Sequence, residues 1–293
     1  MILKTVIKAL KPLRLITLVM TYVLGAGLVQ YVRNMRSWSA FIQGGAFLLL
    51  ISLSLELMRL LQHLGDHRNW PEGMTFNMVK QVRWIIAMLT ATFLTVATAI
   101  VVNWMQTSIL WPGQGFLLAT LAIAGALYYL SEAVKFLKPF ELLIEVLVYV
   151  VIPPAFAYFL QSDDPHRLLT MVVVALVPSY LANRLLSLLK RFGRDQKYEV
   201  DTLVTLIGWE NTMFYHNALI LLTYLLYALV AVLGFPWFLI WPVFLTLPIG
   251  LTQIWLMERV KRGMKPLWQI MQVAAACVLF IPVYLLGFAF WIR

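Results

Sequence analysis

The chain is a succession of apolar runs near 20 residues, repeated along its whole length. Runs of about that length cross the hydrocarbon core of a bilayer as helices. Only helices and closed barrels satisfy their own backbone in lipid, and strand-like alternation is too weak here for a barrel. The 293 residues are 62% hydrophobic, with mean hydropathy +0.83 and no polar block of soluble-domain size. The expected fold is an all-α integral membrane protein forming a single domain over residues 1–293. The first apolar run is long and carries no small-residue cleavage site, so it reads as a retained helix and not a signal peptide.

Nine spans are predicted, at roughly 13–31, 38–61, 81–104, 114–131, 140–160, 167–189, 213–233, 236–256 and 270–291. Pro178, Pro242, Pro248 and Pro282 fall inside them, which membrane helices tolerate when neighbours re-satisfy the freed backbone. The count is tested by charge. With the N-terminus inside, the inner segments collect Lys4, Lys8, Lys11 and Arg14, then Arg59, Arg68, Lys80 and Arg83, then Lys135 and Lys138. Further along they collect Arg184, Lys190, Arg191, Arg194 and Lys197, and finally Arg259, Lys261, Arg262 and Lys265. Of 23 bases, only Arg33, Arg36, Arg167 and Arg293 fall on the other face. That bias follows the positive-inside rule and predicts a cytoplasmic N-terminus and an external C-terminus.

The same bias explains the net charge of +10 without nucleic acid: the bases orient the helices and meet anionic lipid. The single Cys277 and four scattered histidines provide neither a disulfide framework nor a transition-metal centre. His216, at the start of the seventh span, reads as an interfacial histidine. There is no Walker loop, dinucleotide fingerprint, zinc-protease motif or nucleophile elbow. A transporter or channel of another fold is disfavoured, because no repeated half and no matched pair of broken helices is visible.

The longest polar connections, residues 62–80 and 190–212, follow the second and sixth spans and so share the inner face. The first runs Gln62-His63-Leu64-Gly65-Asp66-His67-Arg68; the second holds Asp195, Glu199 and Asp201 behind a basic run. Polar residues also sit within the spans. Glu56, Arg59 and Glu145 either line a pocket or form structural pairs, since charge inside a membrane faces a cavity or a partner. Asn183 precedes the second loop.

These features resemble the UbiA-type membrane prenyltransferase superfamily, and within it the 1,4-dihydroxy-2-naphthoate polyprenyltransferases of the menaquinone pathway. The resemblance is carried by Leu13-Arg14-Leu15-Ile16 through Gly25-Ala26-Gly27, by residues 128–158, by Pro178, and by Thr202-Leu203 with Gly208. It implies nine helices around a central lipid-accessible cavity, with two Asp-rich motifs at its inner mouth. The second family motif reads approximately NN-x2-D-x3-D-x6-T-L-x4-G. Anchored on Thr202 and Gly208, its last Asp is Asp195, its first is Arg191, and its Asn pair is Ser187 and Leu188. The first motif, N-x3-D-x3-D, anchored on Asp66, has Gln62 at its middle Asp and Met58 at its Asn. Each motif keeps one carboxylate and lacks the partner one helical turn earlier.

Carboxylates at i and i+4 share a helix face and can hold Mg²⁺ while the metal binds a diphosphate. The resemblance therefore implies Asp66 and Asp195 as Mg²⁺ ligands aided by Gln62, with Arg191 and Lys197 on diphosphate oxygens. The basic run has a second reading as a headgroup anchor. Glu56, Arg59, Asn183 and Glu145 are pocket candidates, and Glu56 or Glu145 is the available acceptor base. The implied partners are membrane lipid, a polyprenyl diphosphate or other isoprenoid lipid, and an aromatic, quinone-precursor-like acceptor, in a bacterial inner membrane. The alternative is a non-catalytic pseudoenzyme that binds quinone, carotenoid or another isoprenoid as a subunit of a membrane protein complex.

Overall fold

The computed structural model describes residues 11–33, 35–65, 75–106, 112–198 and 200–292. Among them are nine helices long and apolar enough to cross a membrane, so the chain is an integral membrane protein. They are α1 (Pro12–Arg33), α2 (Trp38–His63), α3 (Phe76–Gln106), α4 (Pro112–Ala133), α5 (Phe136–Phe159), α6 (Arg167–Leu189), α9 (Trp209–Val232), α10 (Trp237–Lys261) and α11 (Trp268–Ile292). Two short helices, α7 (Phe192–Lys197) and α8 (Leu203–Ile207), lie between α6 and α9. No strand occurs among the described residues.

α1, α5, α6 and α11 form the centre of the bundle, where Leu24, Tyr149, Phe156, Leu176 and Phe290 are almost wholly buried. α3 and α9 present broad apolar faces outward, including Trp84, Met88, Phe214 and Leu225. In water such exposure would mark an interface; on nine spanning helices it is the lipid-facing surface.

α5 is irregular for a reason visible in its sequence. Pro153 and Pro154 have no backbone N–H, so the Tyr149 carbonyl loses both its i+4 and its i+5 donor. The backbone passes through a π-helical turn at Leu147–Val151, where the Ile152 N–H reaches the Leu147 carbonyl. Thr21 of α1 brings its Oγ1 within 3.0 Å of the Tyr149 carbonyl oxygen, a substitute donor in a place without water. The close approach is made by Gly25, one turn along α1. A Cβ there would overlap the Pro154 backbone.

A second packed cluster underlies α7 and α8. Leu142, Leu185, Leu186, Leu189, Val204, Met213, Met257 and Met271 form it. Gly208, which closes α8, has φ 82° and ψ 158°, a region essentially reserved for glycine.

Candidate functional site

One face of α1 carries Arg14, Thr17 and Thr21 at helical spacing, and all three are buried. Arg14 stands at the end of the bundle where ends of α2, α4, α5 and α6 also meet. Its Nη1 donates to Glu56 Oε1 at 2.8 Å and to the Tyr128 hydroxyl, and its Nη2 donates to Glu145. Glu56 Oε1 also accepts from Tyr128 at 2.8 Å and from Tyr149 at 2.9 Å. Glu145 accepts from Arg184 Nε at 2.5 Å and Nη2 at 3.1 Å, and from the Tyr180 hydroxyl at 3.4 Å. Beside them, Arg59 donates to Glu141 at 2.7 Å and to Ser131 at 3.3 Å, with its guanidinium 4.0 Å from the Tyr128 ring centroid. Arg14, Arg59 and Arg184 thus meet Glu56, Glu141 and Glu145, three cations against three anions.

The sequence left Glu56 and Arg59 as either pocket groups or a pair. They do not pair with each other: Glu56 belongs to Arg14, and Arg59 to Glu141. Glu145 joins the same assembly through Arg14 and Arg184. Asn183 is buried next to Arg184, and its Nδ2 has no partner. Arg14, Arg184, Glu141 and the three tyrosines were not legible in the sequence as a connected set. The available signal was the Arg14, Thr17, Thr21 stripe, a polar line inside an apolar helix.

At the edge, Lys11 Nζ lies 3.8 Å from Glu56 Oε2. Burial, followed by the repulsion of Arg14, lowers its pKa to about 8. Arg191 caps the start of α7 and reaches solvent. Burial of part of its guanidinium, with Arg194 and Arg184 nearby, holds its pKa below the ordinary value. An anion would relieve that strain of like charges. Lys197 is exposed, its Nζ 5.8 Å from the Tyr198 ring centroid.

Asp195 is buried in α7, with Arg194 Nε 3.8 Å from its carboxylate. Gln62, in the last turn of α2, has a buried Oε1 with no partner. Asp66 lies outside the described residues. No group of three His, Cys, Asp or Glu that could hold a metal occurs among the described residues. Glu56 and Glu145 are engaged by guanidinium groups, which leaves Asp195 and Gln62 as hard oxygen donors. Carboxylate and amide oxygens are the donor type that Mg²⁺ takes.

His216 is fully buried between α9 and α10, with Nε2 2.9 Å from Gln253 Nε2 and Nδ1 3.1 Å from Asn217 Oδ1. The amide of the eighth span draws it inward.

No family model and no curated protein matches the sequence. The structure does have relatives. A UbiA homolog from Archaeoglobus fulgidus bound to GPP and Mg²⁺ superposes with a TM-score of 0.62 at 12% identity, covering 98% of this chain and 99% of that one. The same homolog bound to Cd²⁺ gives identical values. A digeranylgeranylglyceryl phosphate synthase gives 0.59 at 14% identity, covering 99% and 98%. The nine-helix bundle is therefore the UbiA fold, continuous over almost the whole chain.

Proposed function

We propose that this chain is a UbiA-like membrane prenyltransferase homologue. It takes a polyprenyl diphosphate and transfers the polyprenyl group to an aromatic, quinone-precursor-like acceptor of the menaquinone type. The supporting observation is fold identity over nearly the full length with a homolog bound to GPP and Mg²⁺, although fold alone does not dictate function. In the reaction the allylic C–O bond breaks, diphosphate leaves with the bonding electrons, the acceptor carbon attacks, and the acceptor loses a proton.

Arg191 and Lys197 would hold diphosphate oxygens, and apolar helix walls would hold the tail. Arg14, Glu56, Glu145 and Arg184 would fix the helix ends around the head group. Mg²⁺, held by Asp66 and Asp195 with Gln62, would supply neutralisation of the departing charge. The charge bias of the loops supports a cytoplasmic position for this end and an external C-terminus, in a bacterial inner membrane. The test is purified protein in detergent with geranyl diphosphate, with and without Mg²⁺. Saturable binding that weakens in Arg191→Ala is expected; neither binding nor diphosphate release would reject the reading.

A second reading has its own observation. Glu56 and Glu145 are both occupied by guanidinium groups, so neither is a ready base for the acceptor proton. This favours a non-catalytic subunit binding quinone, carotenoid or another isoprenoid. Lipid extraction separates the two: a co-purifying isoprenoid without turnover selects the binder, and turnover selects the enzyme.

A further inference from the structure

A cleft of about 380 Å³ opens at the same basic end but on another side of the bundle. It lies between the end of α6, α7, the start of α9, the end of α10 and the start of α11, and is lined by Phe192, Trp209, Met213, Met264 and Trp268, with Lys190 and Gly193. Leu189, on its wall, stands about 140° round α6 from Arg184, given 3.6 residues per turn. The cleft therefore does not face the Arg14–Glu145 assembly. Its volume falls in the range of ligand pockets, and none of the groups discussed above accounts for it.

The lining is amphipathic in a particular order. Methionine sulfur and aromatic rings make an adaptable apolar interior. Lys190 is positioned by its Nζ–Oε1 bond of 2.9 Å to Gln272. Beyond the lining the surface is cationic: exposed Arg194 follows Gly193, and exposed Lys261, Arg262 and Lys265 flank Gly263 and Met264. Two acids face this group, Asp195 beside Arg194 and Glu258 beside Arg262, each at 3.8 Å. An apolar slot under a cationic rim, at the membrane boundary, complements an anionic amphiphile.

We propose that this cleft seats an acyl chain of an anionic glycerophospholipid, with the lipid phosphate on Lys190. The rim bases hold the negative headgroup, and the aromatic and methionine wall distinguishes this seat from a merely charged surface. A zwitterionic lipid would fill the slot equally well but leave the rim uncompensated.

The test uses the full chain in detergent, with thermal unfolding followed as phosphatidylglycerol or phosphatidylcholine is added. Gly193 lines the cleft and a Cβ there meets nothing within 4 Å, so Gly193→Phe adds a ring at the cleft wall while leaving every base in place. Phosphatidylglycerol is expected to raise the melting temperature of the wild type well above any effect of phosphatidylcholine. Gly193→Phe should weaken the apparent affinity at least tenfold with an unchanged melting temperature in detergent alone. An equal response to both lipids, or a full response in Gly193→Phe, would overturn the proposal. Should that variant fail to fold, Lys190→Gln in native mass spectrometry decides instead. Loss of one retained phosphatidylglycerol per chain supports the seat, and an unchanged count refutes it.

Discussion

Arg14 Nη1 lies 2.8 Å from Glu56 Oε1, and the other arm of the same guanidinium reaches Glu145. One side chain of the first span therefore ties the second span to the fifth. Removing one partner of a buried pair leaves a charge without compensation, at about 3–5 kcal/mol. Arg14→Leu is expected to destabilise by that order in thermal or denaturant unfolding. Arg14→Lys should rescue only part of it, since an ammonium cannot reproduce the planar fork. Arg14→Met combined with Glu56→Gln should cost less than the sum of the single changes.

The contact between Gly25 and Pro154 admits no side chain. Gly25→Ala forces α1 away from the π-turn of α5, and overpacking of this kind costs about 1–3 kcal/mol. The separation also withdraws Thr21 from the Tyr149 carbonyl. Thr21→Val removes that contact together with those of Oγ1 to the Thr17 and Leu18 carbonyls, with an expected loss of about 1–3 kcal/mol for an orphaned buried acceptor. Unfolding of both variants beside the wild type checks the order.

Arg191 and Asp195 separate charge from metal in the proposed head-group site. A hydrogen bond to a charged group contributes about 1.5–3 kcal/mol, so Arg191→Ala should weaken geranyl diphosphate binding by roughly tenfold or more. Lys197→Ala should do less, because its ammonium is exposed. Asp195→Asn should flatten the Mg²⁺ dependence of binding. Titrations with and without Mg²⁺ measure all three, and an unchanged Mg²⁺ response in Asp195→Asn counts against that assignment.

Lys11 gives a pH signature. Its folded pKa is lowered to about 8 from 10.5, so between those values the unfolded chain binds more protons than the folded one. Stability from this group therefore rises as pH increases from about 8 to about 10.5, and charged Lys11 opposes the fold below that window. Its side chain is 37% exposed, so solvent screening moderates the effect. Lys11→Met should flatten the rise in melting temperature across the window.

The spans were legible because apolar runs of membrane length need no tertiary context. Their ends were less so. α3 begins at Phe76, ahead of the predicted 81: Val82 and Ile86 pack on Leu57, Leu60 and Leu64, and Val79, one turn earlier, is buried as well. The irregular α5 was hidden, although Pro153-Pro154 records its cause. Asp195 and Gln62 were proposed from motif frames, whereas Arg14 and Arg184 were absorbed into a count of inward bases. Charge asymmetry describes which side a base lies on, not which way it points. Only the packing of α2, α4, α5 and α6 turns those two guanidinium groups toward Glu56 and Glu145.

The Arg14 assembly also sets an order for biosynthesis. Glu56 is made 42 residues after Arg14, and Glu145 131 residues after it. A nascent first helix must enter the bilayer before its main counter-ion exists. Its cation has to wait near the headgroups, where a long side chain can stay hydrated, until the fifth segment leaves the ribosome. The finished bundle is then latched from its first residues by a partner translated at mid-chain, and truncation before α5 should leave an insertion intermediate that cannot close.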